Sequence, residues 1–386
     1  MAWLANWDKR IKLTADNTKV DSDLTQFPLT VFLKTGNGET TKVFDEITTN
    51  NLKMAVTKTD GTTELYVEIE KWDNGNQIGI LHCGLAADIL DADADTDYYL
   101  YYDNDHADNS TYIGVLGSVA GESVWDSYHK LVSHQVDATT STTLDSTTND
   151  NDGVKTSANN PLQNASGKIG AAQTYSSDVI SHGTSATLDP ESNFTISCWV
   201  KLTTNVGDLG YCSTAKIETS RHNWYFGMSG NKFLFKAFTG SGSTNFYAQG
   251  NSAFSADTYY HLVGTYDDST LTLYVDTVAQ TNTGSGTMSV ATEYGLESGK
   301  FYLTTDDYYC PGDIDEIRYS VGICRSAGWI KAEYNSLSDT LLAYGNEELA
   351  AAGPANLKSY NGLAIASMKS IMGLGIADIK SINGLA

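Results

Sequence analysis

Short runs of β-branched and aromatic residues, separated by clusters of Asn, Asp, Gly and Thr, recur along most of this 386-residue chain. TELYVEIEKWD is typical: it alternates apolar with polar residues and follows Asp60-Gly61, a dipeptide that favours a tight hairpin turn. Such runs suit the pleated surface of a sheet, and Asx and Gly suit the turns. The pattern predicts an all-β protein built from two antiparallel β-sandwich domains, with one short helix near 329–337.

The chain is acidic, because 24 Lys and Arg residues stand against 47 Asp and Glu residues for a net charge of −23. Such a surface repels phosphate backbones and anionic headgroups, so we expect no nucleic acid and no membrane as partners. Divalent-cation binding stays open. Apolar residues make up 41% of the chain, enough for real hydrophobic cores.

The N-terminal residues MAWLANWDKRIKLTADN show neither the basic nor the apolar segment of a secretory signal, and no run is long enough to span a membrane. The cysteines are scattered and odd in number, which indicates core thiols of a protein made in a reducing cytosol; they are Cys83, Cys198, Cys212, Cys310 and Cys324. A Cys310–Cys324 disulfide across adjacent strands is the alternative. A β-rich composition without a secretory route favours a virion component made in the host cytoplasm and released by lysis. A bacterial cell-surface adhesin is the alternative.

Composition shifts divide the chain into three parts. Residues 1–124 are predicted to form the first β-sandwich, residues 125–345 the second, and residues 346–386 a linker followed by a repeat. Within the second part, residues 136–168 are polar and nearly free of large apolar side chains, so we expect a long loop or linker there.

The second part carries FTISCWVKL, then YYHLVGTYDDSTLTLYVDTVAQ, then GDIDEIRYS. In this order the motifs resemble the LamG-like family, over about residues 125–340, although Tyr259 stands where that family often has Trp. The resemblance implies a concanavalin A-like jelly roll. Trp7, Arg10, the TELYVEIEKWD strand and the junction GESVWDSYHKLVSHQ resemble a β domain of unknown function. That domain often precedes LamG-like domains in bacterial surface proteins and phage tail proteins.

Acidic residues offer two candidate calcium sites. The stretch DADADTD places Asp91, Asp93 and Asp95 at alternating positions, where loop carboxylates can surround a hard cation; on a strand the same residues would only face water. In GDIDEIRYS, the LamG-like resemblance implies calcium near Asp313 and Asp315, at a sandwich rim that shapes a sugar site. Pairing of that acidic motif with Arg318 is the alternative. Calcium is the only cofactor expected.

A sugar-binding face needs exposed aromatic rings flanked by amide or carboxylate groups. Two clusters fit this description, and their members are Asn223, Trp224, Tyr225, Asp307, Tyr308 and Tyr309. Because Trp224 and Tyr225 begin an alternating strand, one of the two rings is alternatively a core residue. Host surface glycan is the corresponding partner.

Catalytic motifs are absent: the chain has no nucleophile elbow, zinc-protease helix, phosphate loop or dinucleotide fingerprint. Glu64, Glu68 and Glu70 alternate on one strand and could imitate a glycosidase pair, but a solvent-facing row is the commoner arrangement. The histidines form no spaced ligand set, and His134 and His261 fit structural positions. We therefore expect no enzyme, with a glycan-active hydrolase as an alternative.

The chain closes on an eleven-residue repeat, LKSYNGLAIAS, MKSIMGLGIAD, IKSINGLA. Gly at the sixth position of each unit disfavours a helix, and Asn-Gly favours a turn, so short strands broken by turns are predicted. Three such units expose apolar surface that copies from other subunits would cover. Residues 357–386 are thus expected to form a trimeric homo-oligomer or to dock on other virion proteins; a flexible terminus is the alternative. Together, these features predict a non-enzymatic component of a phage tail fibre, spike or head-decoration fibre.

Overall fold

The structure, a computed structural model, describes residues 2–138, 141–157, 160–190, 192–204, 207–213, 223–239, 244–290, 295–303 and 306–350. It also describes the backbone of four two-residue strands beyond residue 350; of residues 302–303 and 306–307, only the backbone is described. Within these ranges the chain is nearly all β, as the alternating runs predict.

The first domain is built around one eight-stranded sheet and a two-stranded ribbon. Its strands within residues 2–115 are β1 (Lys9–Ala15), β2 (Leu24–Thr25), β3 (Leu29–Leu33), β4 (Met54–Thr57), β5 (Glu64–Asp73), β6 (Ile78–Gly84), β7 (Ile89–Leu90), β8 (Thr96–Tyr102) and β9 (Ile113–Val115). Two short helices, α1 (Thr41–Ile47) and α2 (Val119–Glu122), accompany them together with a 3₁₀ turn at Asn17–Lys19. The residue pattern of this region predicts neither α1 nor α2.

Strand β5 shows how the alternation works. Leu65, Val67 and Ile69 point into the core of the first domain, which they share with residues of β1, β3, β4, β6 and β8. Successive side chains of a strand point to opposite faces, so Glu68 and Glu70 lie on the other face. That face is covered by the second domain.

The second domain is a sandwich of a nine-stranded and an eight-stranded sheet. Its strands are β10 (His129–Ser133), β11 (Thr142–Thr143), β12 (Gly153–Lys155), β13 (Leu162–Asn164), β14 (Ala172–Tyr175), β15 (Ile180–Ser181), β16 (Asn193–Leu202), β17 (Leu209–Ser213), β18 (Trp224–Ser229), β19 (Lys232–Thr239), β20 (Thr244–Gln249), β21 (Tyr259–Asp267), β22 (Thr270–Val275), β23 (Val278–Ala279), β24 (Gly284–Ser285), β25 (Glu297–Ser298), β26 (Lys300–Leu303), β27 (Asp306–Tyr309) and β28 (Gly312–Val321). A 3₁₀ turn spans Ala186–Leu188.

The nine-stranded sheet runs β13-β14-β28-β16-β21-β22-β23, with β10 beside β28 and β24 beside β22. The facing sheet runs β11-β12-β15-β25-β17-β18-β19-β20. Apolar side chains of both sheets meet in one core cluster. The hairpin between β18 and β19 turns at Gly230 and Asn231, both at positive φ, as a tight hairpin turn requires.

The predicted long loop or linker over residues 136–168 is wrong in part, because described residues of this segment form the short strands β11, β12 and β13 at the edges of both sheets. Asp145, only 2% exposed, fixes its polar loop. Its carboxylate accepts hydrogen bonds from the backbone N–H groups of Val132 at 3.0 Å and Asn151 at 2.9 Å. Buried Asx contacts of this kind order a loop that has few apolar side chains.

The predicted boundary at residue 345 also differs from the structure. After α3 (Ala327–Leu337), which confirms the predicted helix, strand β29 (Leu342–Leu349) returns to the first domain and pairs antiparallel with β1. Trp329 of α3 and Leu342 of β29 join the core of the first domain. The chain thus closes the first sheet only after the second domain is complete.

Beyond residue 350, two small hairpins are described: β30 (Ser359–Tyr360) pairs with β31 (Leu363–Ala364), and β32 (Ser370–Ile371) pairs with β33 (Leu374–Gly375). The rest of the repeat lies outside the described residues.

The described helices are all too short or too polar to cross a bilayer. The five cysteines are free, so the Cys310–Cys324 disulfide is not formed; Cys324 is exposed and the other four are buried.

Candidate functional site

Trp224 and Asn223 do not form a sugar platform, because both are fully buried. Strand β18 lies between β17 and β19, and Trp224 faces the opposite sheet, with its ring 5.6 Å from that of Phe194 and 5.5 Å from that of Tyr319. The alternation of the strand therefore places this ring in the core, and the glycan-binding prediction for these two residues is wrong.

Tyr225 points to the outer face of the same sheet, yet it is only 6% exposed. The β26–β27 hairpin covers it: its ring stacks on Phe301 at 4.0 Å, and Phe301 stacks on Tyr308 at 4.8 Å. Tyr308 and Tyr309 are half-buried, and the side chain of Asp307 lies outside the described residues. This ladder of rings is occupied by the protein itself, so Tyr225 offers no free face to a sugar.

Asp313 and Asp315, two of the residues predicted to bind calcium, already have partners within the chain. Asp313 accepts hydrogen bonds from Asn164 and Thr174 and pairs with Lys201 at 2.5 Å; burial opposes its charge, but Lys201 and Thr174 outweigh burial and lower its pKa. Asp315 is fully buried and accepts from the backbone N–H of Ile169, and burial raises its pKa well above the usual range.

In the loop before β8, Asp91 accepts hydrogen bonds from the backbone N–H groups of Asp93 and Ala94, and Asp95 accepts from that of Asn17. Within the described part of the chain, Asp91, Asp93 and Asp95 do not converge with other donors into a group that could hold a metal ion. Calcium binding at these carboxylates stays a prediction, and the observed contacts do not require it.

A different cluster of charged side chains lies where the two domains meet. Glu68 and Glu70 come from β5, and His82 comes from β6, directly opposite Glu68 in the antiparallel register. His134 follows β10, and Glu316 lies on β28 of the second domain. We call Glu70, His82, His134 and Glu316 the interface cluster, since one ligand-type atom of each lies within 4.8 Å of those of the others.

The members of the interface cluster are in direct contact. His82 Nε2 lies 2.9 Å from Glu70 Oε2, and His134 Nδ1 is hydrogen-bonded to Glu316 Oε1 and lies 3.8 Å from the same Glu70 oxygen. The two imidazole rings stack with centroids 4.6 Å apart. All four side chains are at most 1% exposed.

The backbone of Glu316 departs from regular strand geometry, with φ at +50°. The pairing of β28 with β16 shifts here, since Ser197 lies opposite Arg318 and Trp199 opposite Asp315. Such a bulge turns a side chain out of the regular alternation. Asp315 and Glu316 are thereby both buried towards the interface, and a non-glycine residue at positive φ is a strained position of the kind that collects at functional sites.

A second layer of polar residues surrounds the cluster. Arg318 donates to Glu316 Oε2 at 2.8 Å and lies 3.7 Å from Glu333 of α3, which in turn contacts His261 Nε2 at 3.1 Å. Trp125 donates its indole N–H to Glu68 at 2.9 Å. The His261–Glu333 pair is thus a further buried imidazole–carboxylate contact in the same interface, outside the cluster, and it has no additional histidine or carboxylate ligand beside it among the described residues.

Burial and neighbouring charges shift the pKa values of the cluster residues in different directions. Burial, and next the charge of Glu316, raises the pKa of Glu70 to about 8. Burial also holds the pKa of His82 well below its usual value. For His134 burial acts in the same downward sense, but the carboxylates of Glu316 and Glu68 outweigh it and raise the pKa well above the usual value. Burial would raise the pKa of Glu316, yet His134 and Arg318 lower it.

The expected solvent-facing row of glutamates is therefore wrong for Glu68 and Glu70. Alternation correctly placed both on the face opposite the core, but nothing local in TELYVEIEKWD shows that another domain covers this face. The histidines likewise lack ligand spacing because His82 and His134 lie 52 residues apart in sequence and meet only through the domain contact. Enclosed in this way, the carboxylates can hold a cation or share protons, but they cannot reach a polysaccharide chain.

An open pocket lies at the seam between the domains, on the surface. Its cavity measures 420 Å³ and is lined by residues of both domains, including Asp23, Gln26, Asp126, Tyr128, Arg325 and Trp329. Tyr128 is 43% exposed. Arg325 is fixed by Asp126 at 2.7 Å and lies 3.9 Å above the ring of Trp329. We call this the seam pocket; it combines an exposed aromatic ring with carboxylate, amide and guanidinium groups.

Residues 173–330 match the family model Laminin_G_3, described as the concanavalin A-like lectin/glucanases superfamily. No curated protein matches the chain. Among solved structures, domain 4 of the GH43 extracellular arabinanase AbnA from Geobacillus stearothermophilus, in complex with arabinotriose, is 18% identical, with 55% of this chain and 99% of that domain covered and a TM-score of 0.38.

The binding domain of botulinum neurotoxin serotype D is 9% identical, with 54% of this chain and 50% of that chain covered and a TM-score of 0.40. A CBM40 domain of the Ruminococcus gnavus IT-sialidase, bound to α2,3-sialyllactose, is 11% identical, with 38% and 84% covered and a TM-score of 0.32. These TM-scores are low, so the three likenesses carry no functional argument.

Proposed function

We propose that this chain, whose residues 173–330 form a LamG-like jelly roll, is a non-enzymatic structural and adhesion protein of a virion. In this proposal it belongs to a tail fibre, a spike or a head-decoration fibre. The LamG-like domain and the first domain together present the seam pocket for weak contact with glycans on a host surface.

The observation that carries the binding proposal is the contrast between the two polar sites. Glu68 and Glu70, the strand carboxylates that could imitate a glycosidase pair, are sealed inside the domain interface. The seam pocket is open, and the half-exposed ring of Tyr128 lies beside groups that hydrogen-bond to hydroxyls. Stacking on an aromatic face with flanking polar groups suits a pyranose.

Two further features support the virion assignment. The free cysteines fit a chain that folds in a reducing cytosol. The paired strands β30–β31 and β32–β33 are too small to be stable alone, because a single two-stranded hairpin is marginal in water. Copies of the terminal segment from other subunits would supply the missing contacts, and a homotrimer that docks on other virion proteins is the proposed arrangement.

A glycan array with the full chain tests the binding proposal. We expect weak binding to a subset of glycans, lost in Tyr128→Ala and retained in Tyr247→Ala. Tyr247 is a matched control, since it is also 43% exposed but does not line the seam pocket. Absence of binding by the wild type, with calcium or with chelator, would reduce the LamG-like domain to a spacer. Release of shortened glycans would support the hydrolase alternative.

Light scattering of the full chain and of a chain ending at residue 350 tests assembly. We expect a trimer for the former and a monomer for the latter. A monomeric full chain at high concentration would contradict oligomerisation through residues 357–386. Antibody labelling of purified particles tests the virion assignment, and labelling of the host cell envelope instead would favour a bacterial cell-surface adhesin.

A further inference from the structure

The interface cluster has the donor set of a closed metal site. It offers two imidazole nitrogens and two carboxylate oxygens, all within 4.8 Å of one another. Neighbouring ligand atoms of a four-coordinate ion are about 3–4 Å apart when each bond is about 2.0–2.2 Å long. The separation of 3.8 Å between His134 Nδ1 and Glu70 Oε2 is of this order, and the contact of 2.9 Å between His82 and Glu70 lies at its lower edge. His134 and Glu316 are hydrogen-bonded at a shorter distance, so these two side chains would move apart to hold an ion.

We propose that Glu70, His82, His134 and Glu316 bind one divalent transition-metal ion, with Zn²⁺ as the first choice, and that this ion fastens the first domain to the LamG-like domain.

Unused acceptor capacity in the cluster supports the proposal. Glu70 Oε1 and Glu68 Oε1 are buried and have no hydrogen-bond partner among the described residues. Buried polar atoms are nearly always paired, because an unpaired one forfeits its hydration. A bound cation, together with the small shifts that binding brings, would give the Glu70 carboxylate the partner that its Oε1 lacks.

The chemistry of the donors selects the class of ion. Calcium takes six to eight oxygen ligands, whereas imidazole suits Zn²⁺ and other first-row transition metals. A site with four protein ligands and no exposed side chain is of the closed, structural type. It is unlike the rim calcium site that the acidic strand predicts, although both involve β28.

The position of the ligands defines the role of the ion. Glu70 and His82 belong to the first domain, His134 to the junction and Glu316 to the LamG-like domain. A site of this kind is complete only when the domains are docked, so ion binding stabilises the docked state over the undocked one. The strained backbone of Glu316, with φ at +50°, is the local feature that brings the last ligand into place.

Elemental analysis of the full-length chain is the direct test. The protein is expressed in medium supplemented with zinc, manganese and iron, purified without chelator, and measured by inductively coupled plasma mass spectrometry. We expect about one zinc ion per chain, and a content at least about tenfold lower in His82→Gln. The matched control is His261→Gln, which alters the other buried imidazole–carboxylate pair of the interface and should keep its ion.

Two measurements on the wild type keep the test independent of whether a variant folds. In the first, the protein is stripped of metal by a chelator under partly denaturing conditions, and adding Zn²⁺ back should raise its melting temperature. In the second, the stripped protein is refolded with Co²⁺, and it should absorb visible light with the intensity typical of four-coordinate cobalt. A wild type without stoichiometric metal and without either response overturns the proposal, and the cluster is then a proton-sharing network. Loss of metal from His261→Gln but not from His82→Gln also overturns it.

Discussion

The core of the LamG-like domain and the interface between the two domains are equally closed to water, yet they are built from opposite kinds of side chain. The core consists of apolar and aromatic residues such as Trp224, Phe226 and Phe235, all fully buried. The interface holds the interface cluster and its polar neighbours beside a small apolar group around Phe32 and Trp199. Burial alone therefore does not determine which interactions stabilise a region.

The two regions should respond differently to substitution. In the core, stability follows the apolar volume removed, because each lost methylene costs transfer free energy and leaves a cavity. In the interface, stability follows whether each charge keeps its partner, because a buried charge without one is heavily penalised. Substitutions that change volume and charge separately can therefore test whether the two regions differ in this way.

The largest effect is expected in the core. Trp224→Ala should lower the free energy of unfolding by about 5 kcal/mol, since the ring is fully buried between both sheets. Chemical denaturation of the full chain, followed by tryptophan fluorescence and circular dichroism, measures it. A Trp224→Ala protein with unchanged stability would contradict the core position and return this residue to the candidate glycan site.

The core of the LamG-like domain could be predicted from sequence, because FTISCWVKL and the β21–β22 hairpin carry their own alternation and turn signals. The interface could not, because its residues come from β5, β6, the junction and β28 and share no local pattern. The alternation of apolar and polar residues in β5 predicts which face of the strand Glu68 occupies, but it does not predict what covers that face. The expectation of a loop or linker failed in part for a related reason, since buried Asx contacts order residues 141–157 with few apolar side chains.

The second-largest loss of stability is expected at Arg318, the guanidinium group buried in the interface. Arg318→Met preserves much of the volume but removes the positive charge beside Glu316 and Glu333, and it should lower the free energy of unfolding by about 3–4 kcal/mol. Lys42→Met is the matched control, because Lys42 pairs with Glu39 and Glu347 at the surface, and its loss should lower the stability much less than the loss of Arg318. Equal effects of the two variants would show that the interface is not closed to water.

A smaller, pH-dependent effect is expected at Glu333. Burial opposes its charge, but His261 and Arg318 outweigh burial and lower its pKa from 4.5 to about 2. The unfolded chain therefore binds this proton more readily than the folded one. The carboxylate stabilises the fold above about pH 4.5, and this contribution is lost as the pH falls towards 2.

Glu333→Gln tests this linkage. The variant should be less stable than the wild type by about 2–3 kcal/mol at neutral pH, and the difference should shrink steadily between about pH 4.5 and pH 2.5. Urea unfolding of both proteins at a series of pH values gives the difference directly. A gap between the two proteins that stays constant down to pH 2.5 would contradict the lowered pKa.

The smallest effect is expected at Glu64, which lies on the same strand as Glu68 but nearer its beginning. Glu64 is half-buried and accepts a hydrogen bond from Asn109, whereas Glu68 is fully buried and accepts one from Trp125. Glu64→Gln should cost less than about 1 kcal/mol, because water still solvates its carboxylate and the amide can keep the contact. Glu68→Gln should cost clearly more in the same denaturation assay, since the amide replaces a carboxylate that both Trp125 and His134 approach in a closed site. If both variants lost the same free energy of unfolding, then burial by the second domain would not determine how much each glutamate contributes to stability.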